Sequence, residues 1–358
     1  MNASLRLLRS GTPGFLLACA MAMSSSVWAA PHIVCVNNVT DLYTELANAG
    51  LGGANNDADT HINLAVGVYP ISDGVFFYDS AMTFTLDVTG GYNSDCSQQI
   101  TRNPIYTVLS GAGSNLILES SSAGDVSLRF LTFKGGNGGA LIMNPGGGHT
   151  GQIIIDYDIF TANTGGNVVN IGGSSLVQLD GNLFYGNTGT QATFISSGTM
   201  QFYAINNTFT QNAIADSPYG ASTLWVEGVS GSSAAVSNNI FFNNTFTNTH
   251  GSTDYDIILY GSAGSTVQVE KNIVDLVGVT NATLVTETDL PQNTDPQFAS
   301  STDFRLMRTS PGIAAGTLTP PGGLPSIDIQ GNPRTFNGSV DLGAYERGDD
   351  IFKDGFGF

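Results

Sequence analysis

The chain has 358 residues, 29 acidic against 11 basic side chains, and a formal net charge of −18. A field of that sign disfavours nucleic acid and anionic membrane surfaces as partners. Its 45 glycines in a mildly hydrophobic chain call for many tight turns around a real core.

Arg6 and Arg9 precede an apolar run from Phe15 to Met23 and a small-residue site at Val27-Trp28-Ala29, the plan of a secretory signal peptide over 1–29. Leu16-Leu17-Ala18-Cys19 offers a second reading as a lipoprotein cleavage site, although Leu17 suits it poorly. Removing the segment takes the formal charge from −18 to −20. No later stretch has the ~18 uninterrupted apolar residues of a membrane helix, so no transmembrane segment is expected after export. Two cysteines remain, Cys35 and Cys96, and an oxidising compartment lets them close a disulfide.

An N-terminal cap is expected over 30–60. Thr40 to Ala49 reads as a short amphipathic helix with Thr40 as N-cap, Leu42 and Leu46 on one face, and Gly50 as the stop. From 61 to 300 a motif recurs: [Asn/Asp]-x-Phe-x-x-Asn, at Asp158–Asn163, Asn182–Asn187, Asn207–Asn212 and Asn239–Asn244. Counting from Phe133, its phenylalanines fall at Phe160, Phe184, Phe209 and Phe241, intervals of 27, 24, 25 and 32 residues. Periods of that size mark a solenoid. Short alternating runs lie between the motifs, such as Gln152–Asp156, Leu176–Leu179, Met200–Ile205, Ala234–Val236 and Thr266–Glu270, and no long helical pattern separates them.

These features predict an all-β fold, a single-stranded right-handed parallel β-helix of roughly nine or ten coils with a short N-terminal capping helix. Coils about 4.8 Å apart set like residues on like. Each inward Phe is then expected to stack on its neighbours. Asn163, Asn187, Asn212 and Asn244 are expected at bends, where Asn tolerates left-handed backbone and its amide bonds the next rung. A closing unit follows over 301–347, entered near the Pro- and Gly-rich run Thr319–Pro325, and 348–358 reads as a flexible tail.

Gly138-Gly139-Ala140-Leu141 with the repeated Phe-x-x-Asn is similar to the repeats of polymorphic outer-membrane proteins, surface-exposed β-helix passengers associated with adhesion. The ordered set Asp295-Pro-Gln-Phe298, Asp303–Leu306, Ser310–Gly316, Asp328–Arg334 and Val340–Glu346 resembles the closing part of bacterial secreted β-helix proteins of the choice-of-anchor Q type. Gly90-Gly91-Tyr92 with Cys96, and then Thr107–Gly111, resembles their first coils. The resemblance implies a pectin-lyase-like solenoid, exported to the surface or exterior of a Gram-negative bacterium. Two features depart from it: Ala314 stands where an acidic residue is usual, and no counterpart of the autotransporter barrel is present. Asp350–Phe356 looks like an ending seen on exported Gram-negative proteins, read either as a sorting signal or as a frayed terminus.

Catalytic motifs are scarce. Asn293-Thr-Asp295 imitates one polygalacturonase element without its companions, and the four histidines, His32, His61, His149 and His250, show no metal spacing. A lyase acting on uronates needs a base and a cation, for which Arg129, Lys134 and His149 are the available set; the alternative is a solvated edge. Asp254 and Asp256 sit two apart in a strand-like run, either a Ca²⁺ site or a solvated turn, and otherwise no cofactor is expected. Tyr157, Tyr185, Tyr203, Tyr219, Trp225 and Tyr260 recur along the coils, as an outward row for sugar rings or as core rungs and covered positions. The favoured function is non-catalytic adhesion or carbohydrate binding, with a glycan or cell-surface partner. A uronate-specific polysaccharide lyase and a structural cell-envelope protein are the alternatives.

Overall fold

The structure is a computed structural model and describes residues 29–71, 74–111, 116–144, 151–215, 220–229, 233–247, 251, 253–288 and 290–348. Residues 1–28, within the expected signal peptide, His149, Tyr219, His250 and residues 349–358 lie outside the described residues. Among those described, no helix is long and apolar enough to cross a membrane.

The inward–outward alternation of the short runs produces stacked parallel sheets of 16, 7 and 3 strands. In the seven-stranded sheet, Gly67–Pro70, Thr107–Ser110, Thr132–Lys134, Ile159–Thr161, Leu183–Tyr185, Thr208–Thr210 and Ile240–Phe242 lie side by side in chain order. Each pass of the chain therefore returns one strand further along the same sheet. The largest sheet does the same along a run of ten strands, from His32–Val36 to Val277–Thr280. The two runs read at Leu176–Leu179 and Met200–Ile205 are halves of longer strands, Val169–Asp180 and Ala192–Ile205. This all-β architecture with long parallel sheets is compatible with a parallel β-helix.

Parallel register places Phe133, Phe160, Phe184, Phe209 and Phe241 opposite one another. Their rings stack nearly parallel, with centroids 4.9, 4.5, 4.6 and 4.8 Å apart in that order. All five are buried. The motif's final Asn explains its spacing. Asn163, Asn187, Asn212 and Asn244 donate from Nδ2 to the carbonyls of Phe133, Phe160, Phe184 and Phe209, one coil back. The first three also donate to the next rung's Oδ1, at 3.0, 2.9 and 2.9 Å. The first residue of the motif builds a second ladder, Asn182–Asn207–Asn239–Asn272, on the same pattern.

Left-handed backbone falls one residue earlier than expected. The residues immediately before the rungs have positive φ: Tyr157, Asn206, Asn238 and Lys271 before one ladder, and Ala162, Gln211 and Asn243 before the other, with Phe130 taking the same bend before Leu131. The rungs need their amides in line with the stack, so the preceding residue takes the bend. At Gly181, with φ of +66°, a Cβ would also meet the Tyr157 ring at 2.8 Å, so glycine fits both the bend and the space.

The helix, α1 at Val39–Ala49, begins earlier than predicted. Its N-cap is Asn38, whose side chain accepts from the Asp41 amide at 3.0 Å, and Thr40 lies inside the first turn. Gly50 stops it, and Leu42 and Leu46 are buried among Val36, Ile62, Tyr69 and Phe76. Cys35 and Cys96 form a disulfide across 61 residues, with Cα atoms 5.4 Å apart. Loop-closure entropy makes such a link worth roughly 4 kcal/mol.

Residues 297–347 cross the outer face of the seven-stranded sheet. Phe304, Ile329 and Ala344 cover Phe130, Tyr157, Ile159 and Leu183, while Leu306 and Leu342 cover Ile240 and Ile273. Left-handed Asn206 and Asn238 tie the segment down: Asn206 donates to the Asp341 carbonyl at 2.9 Å, and Asn238 donates to the Thr317 carbonyl while accepting from its amide. Inside the segment, buried Arg334 donates to the carbonyls of Ile327, Gly343 and Ala344.

Candidate functional site

The two basic residues singled out in the sequence do not converge. Arg129 closes the strand Val126–Arg129, Lys134 closes Thr132–Lys134 in a different sheet, and the left-handed turn at Phe130 separates them. The Arg129 guanidinium is held by Asp87 at 3.3 Å and Asp156 at 3.4 Å. Lys134 is exposed.

The aromatic side chains do not make one open row either. Tyr157 stacks on Phe130 at 5.3 Å beneath the 297–347 segment, and Trp225 is 2% exposed beside Tyr260. Tyr185 rests against Phe304 at 5.0 Å. Tyr203 has Gly322 so close that a Cβ there would lie 2.6 Å from the ring. Tyr157 and Trp225 are thus withdrawn from any ligand approaching from solvent, Tyr157 by the distant 297–347 segment and Trp225 by packing with Ala192, Ile258 and Tyr260 of the adjoining strands.

The open surface lies further along, past the last Phe rung. Asn239-Ile-Phe241-Phe242-Asn243-Asn244 carries a second Phe at the position where earlier motifs have Thr161, Tyr185 and Thr210. That outward Phe242 separates two abutting hollows. One, of about 260 Å³, is lined by Phe241, Phe242, Phe246, Asn244, Asp254, Asp256 and Asp275 among others. Its neighbour, of about 310 Å³, shares Phe242 and Asn243 and is completed by Gln211, Asp295, Gln297, Phe298 and Ser300 with their flanking residues. Phe242 meets Phe298 edge-on at 6.2 Å, which fixes the ridge between the hollows.

Local structure positions each polar group. Asn243 has φ of +57° and is exposed, so the bend presents its amide outward. Asn244 is the last rung of its ladder, and the hydrogen that earlier rungs give to the next Asn meets no further asparagine among the described residues. Asp256 is buried at the floor, where its Oδ2 accepts from the Asp275 amide at 2.8 Å. Burial pushes its pKa up to about 6, against the pull of that hydrogen bond. Asp275 accepts from the Asn293 amide, which joins the floor to the 290s.

Among the described residues, neither hollow has a Lys or Arg in its lining. Carboxylates, amides and hydroxyls around a phenyl ridge suit a neutral, hydroxyl-rich ligand and repel a polyanion. Asp254 and Asp256 line the same hollow, yet among the described residues no three His, Cys, Asp or Glu side chains converge to hold a metal ion. The doubled Phe was a readable signal for this place; Asp275 and Gln297 carried none, since only folding brings them to it. The chain matches no protein-family model and no curated protein.

Proposed function

We propose that this is an exported, extracellular or cell-surface β-helix protein of a Gram-negative bacterium that binds carbohydrate without transforming it, with adhesion as the outcome. The reading takes the solenoid as right-handed and α1 as the cover of its first coil. The observation that carries it is the pair of abutting hollows sharing Phe242 and Asn243, which together give an elongated ligand a ridge to stack on and amides and carboxylates on both sides. The Cys35–Cys96 disulfide supports an oxidising compartment.

The test is titration of the purified protein with neutral and uronate-containing polysaccharides, followed by calorimetry and by ultraviolet absorbance. Binding of a neutral glycan, weakened about tenfold, or ~1.4 kcal/mol, in Phe242→Ala and in Asn243→Ala, is expected. Release of unsaturated product from a uronate polymer would make the protein a lyase and overturn the proposal.

A further inference from the structure

One rung of the first ladder breaks its chemistry. Asn182, Asn207 and Asn239 each use Oδ1 to accept the backbone amide of the rung before and Nδ2 to donate twice, to the next rung's Oδ1 and to a strand carbonyl one coil back. Asp158 precedes Asn182 in this series and occupies the same place. Its Oδ1 behaves like every other, accepting from the Leu131 amide at 2.8 Å. Its Oδ2 stands where the others carry Nδ2, and as an acceptor it has no partner, although the residue is completely buried. By the repeat, the groups that face this atom are Asn182 Oδ1 and the carbonyl of Leu128, which pairs with Ile155, the residue whose carbonyl serves Asn182. Both are acceptors.

We propose that Asp158 is a neutral carboxylic acid whose Oδ2–H donates in the ladder, and that its proton keeps the 297–347 segment seated on the sheet. No other protonation state leaves the rung satisfied: an ionised Oδ2 would put a buried charge against two oxygens, with no donor. The charged groups around it agree. Burial raises the Asp158 pKa well above the carboxylate range, the Leu131 amide lowers it, Asp156 in the same coil raises it and Arg129 one coil back lowers it. Arg129 is already shared by Asp87 and Asp156 and supplies no hydrogen bond to Asp158.

The coupling to the segment runs through Tyr157, which sits between Asp156 and Asp158 with φ of +59° and packs under Phe304, Ile329 and Ala344. From the segment's side Arg334 faces Tyr157 and Asp180, and Asp180 lies in register with Asp156. Ionising Asp158 opens the rung beside Tyr157 and adds negative charge next to Asp156. The segment then loses its seat as pH rises.

The direct test is carbon-13 carboxyl NMR of the unsubstituted chain across pH. The Asp158 signal is expected to stay in its protonated form well above pH ~4, the ordinary aspartate range. Titration near pH ~4 would overturn the proposal. In parallel, hydrogen exchange at Phe304–Leu306 and Ile327–Ile329, corrected for intrinsic rate, is compared between about pH 6 and pH 9 in the native chain and in D158N. The amide supplies the donor without a proton, so D158N should fold. Segment opening should rise by up to about tenfold per pH unit between the ordinary aspartate range and the pH at which the seated Asp158 ionises, and level off above it. D158N lacks that proton and should rise less, its remaining dependence coming from Asp156 and Glu346. Equal pH dependence in both chains would also overturn it.

Discussion

Phe209→Ala probes the stacked core at its best-defended point. Phe209 is fully buried, with rings on both faces at 4.6 Å and 4.8 Å. Truncation removes about 2 kcal/mol of transfer energy and leaves a cavity on the order of 100 Å³, which adds about 2.4 kcal/mol at ~24 cal/mol per Å³. The parallel strands on either side are pinned by their ladders, so little collapse is available and the total should fall near 4 kcal/mol. Phe241 has its stacked neighbour on one side and borders an open hollow, so Phe241→Ala should cost less, about 3 kcal/mol. Guanidinium unfolding of both variants, read as midpoint shift times slope, measures the pair. A Phe209→Ala loss below about 1 kcal/mol, or a larger loss at Phe241, would refute the stacked core.

Asn207→Ala leaves the Asn182 amide and the Leu179 carbonyl without their partners, all in buried surroundings. The expected cost is about 3 kcal/mol or more by urea titration, well above that of an exposed Asn→Ala change. The pH dependence of thermal stability should favour acid. Burial raises the pKa of Asp256 to about 6, of Asp156 to about 7 and of Glu346 to about 8, so the folded chain holds protons that the unfolded chain releases near its ordinary carboxylate values. Their contribution is fullest below about pH 4 and declines as pH rises toward about 8, so the melting temperature should fall over that window. A melting temperature that climbs from pH ~5 to pH ~8 would contradict this sign.

The fold was legible where the sequence repeats itself. Phe160, Phe184, Phe209 and Phe241 could be placed opposite one another because a period near the coil length, with the same residue at each return, leaves one stacking register. The ladder asparagines were legible for the same reason, but the bend itself was misplaced by one residue, since Tyr157, Ala162 and Gln211 take left-handed geometry without any compositional mark. At α1, Asn38 and Thr40 are both competent caps, and local pattern could not rank them. The binding surface was the least legible part. Tyr157 and Tyr203 look outward by alternation, and only the fold reveals what lies over them. Phe242 betrayed itself as an extra aromatic in a motif, whereas Asp275 entered the hollow through tertiary placement alone.

The clasp between residues 297–347 and the turns at Asn206 and Asn238 imposes an order of events on assembly. A chain made from its N-terminus can lay down coil after coil by short-range returns, but Ile159 and Leu183 must wait, wet and apolar, until residues more than a hundred positions later arrive, and Ile240 until Leu306 and Leu342 do. Every interrupted or clipped chain would carry that stripe uncovered beside parallel strands already in register, a template for sticking to its own kind. With the 297–347 segment seated, the stripe is hidden; without it, the same apolar side chains face water.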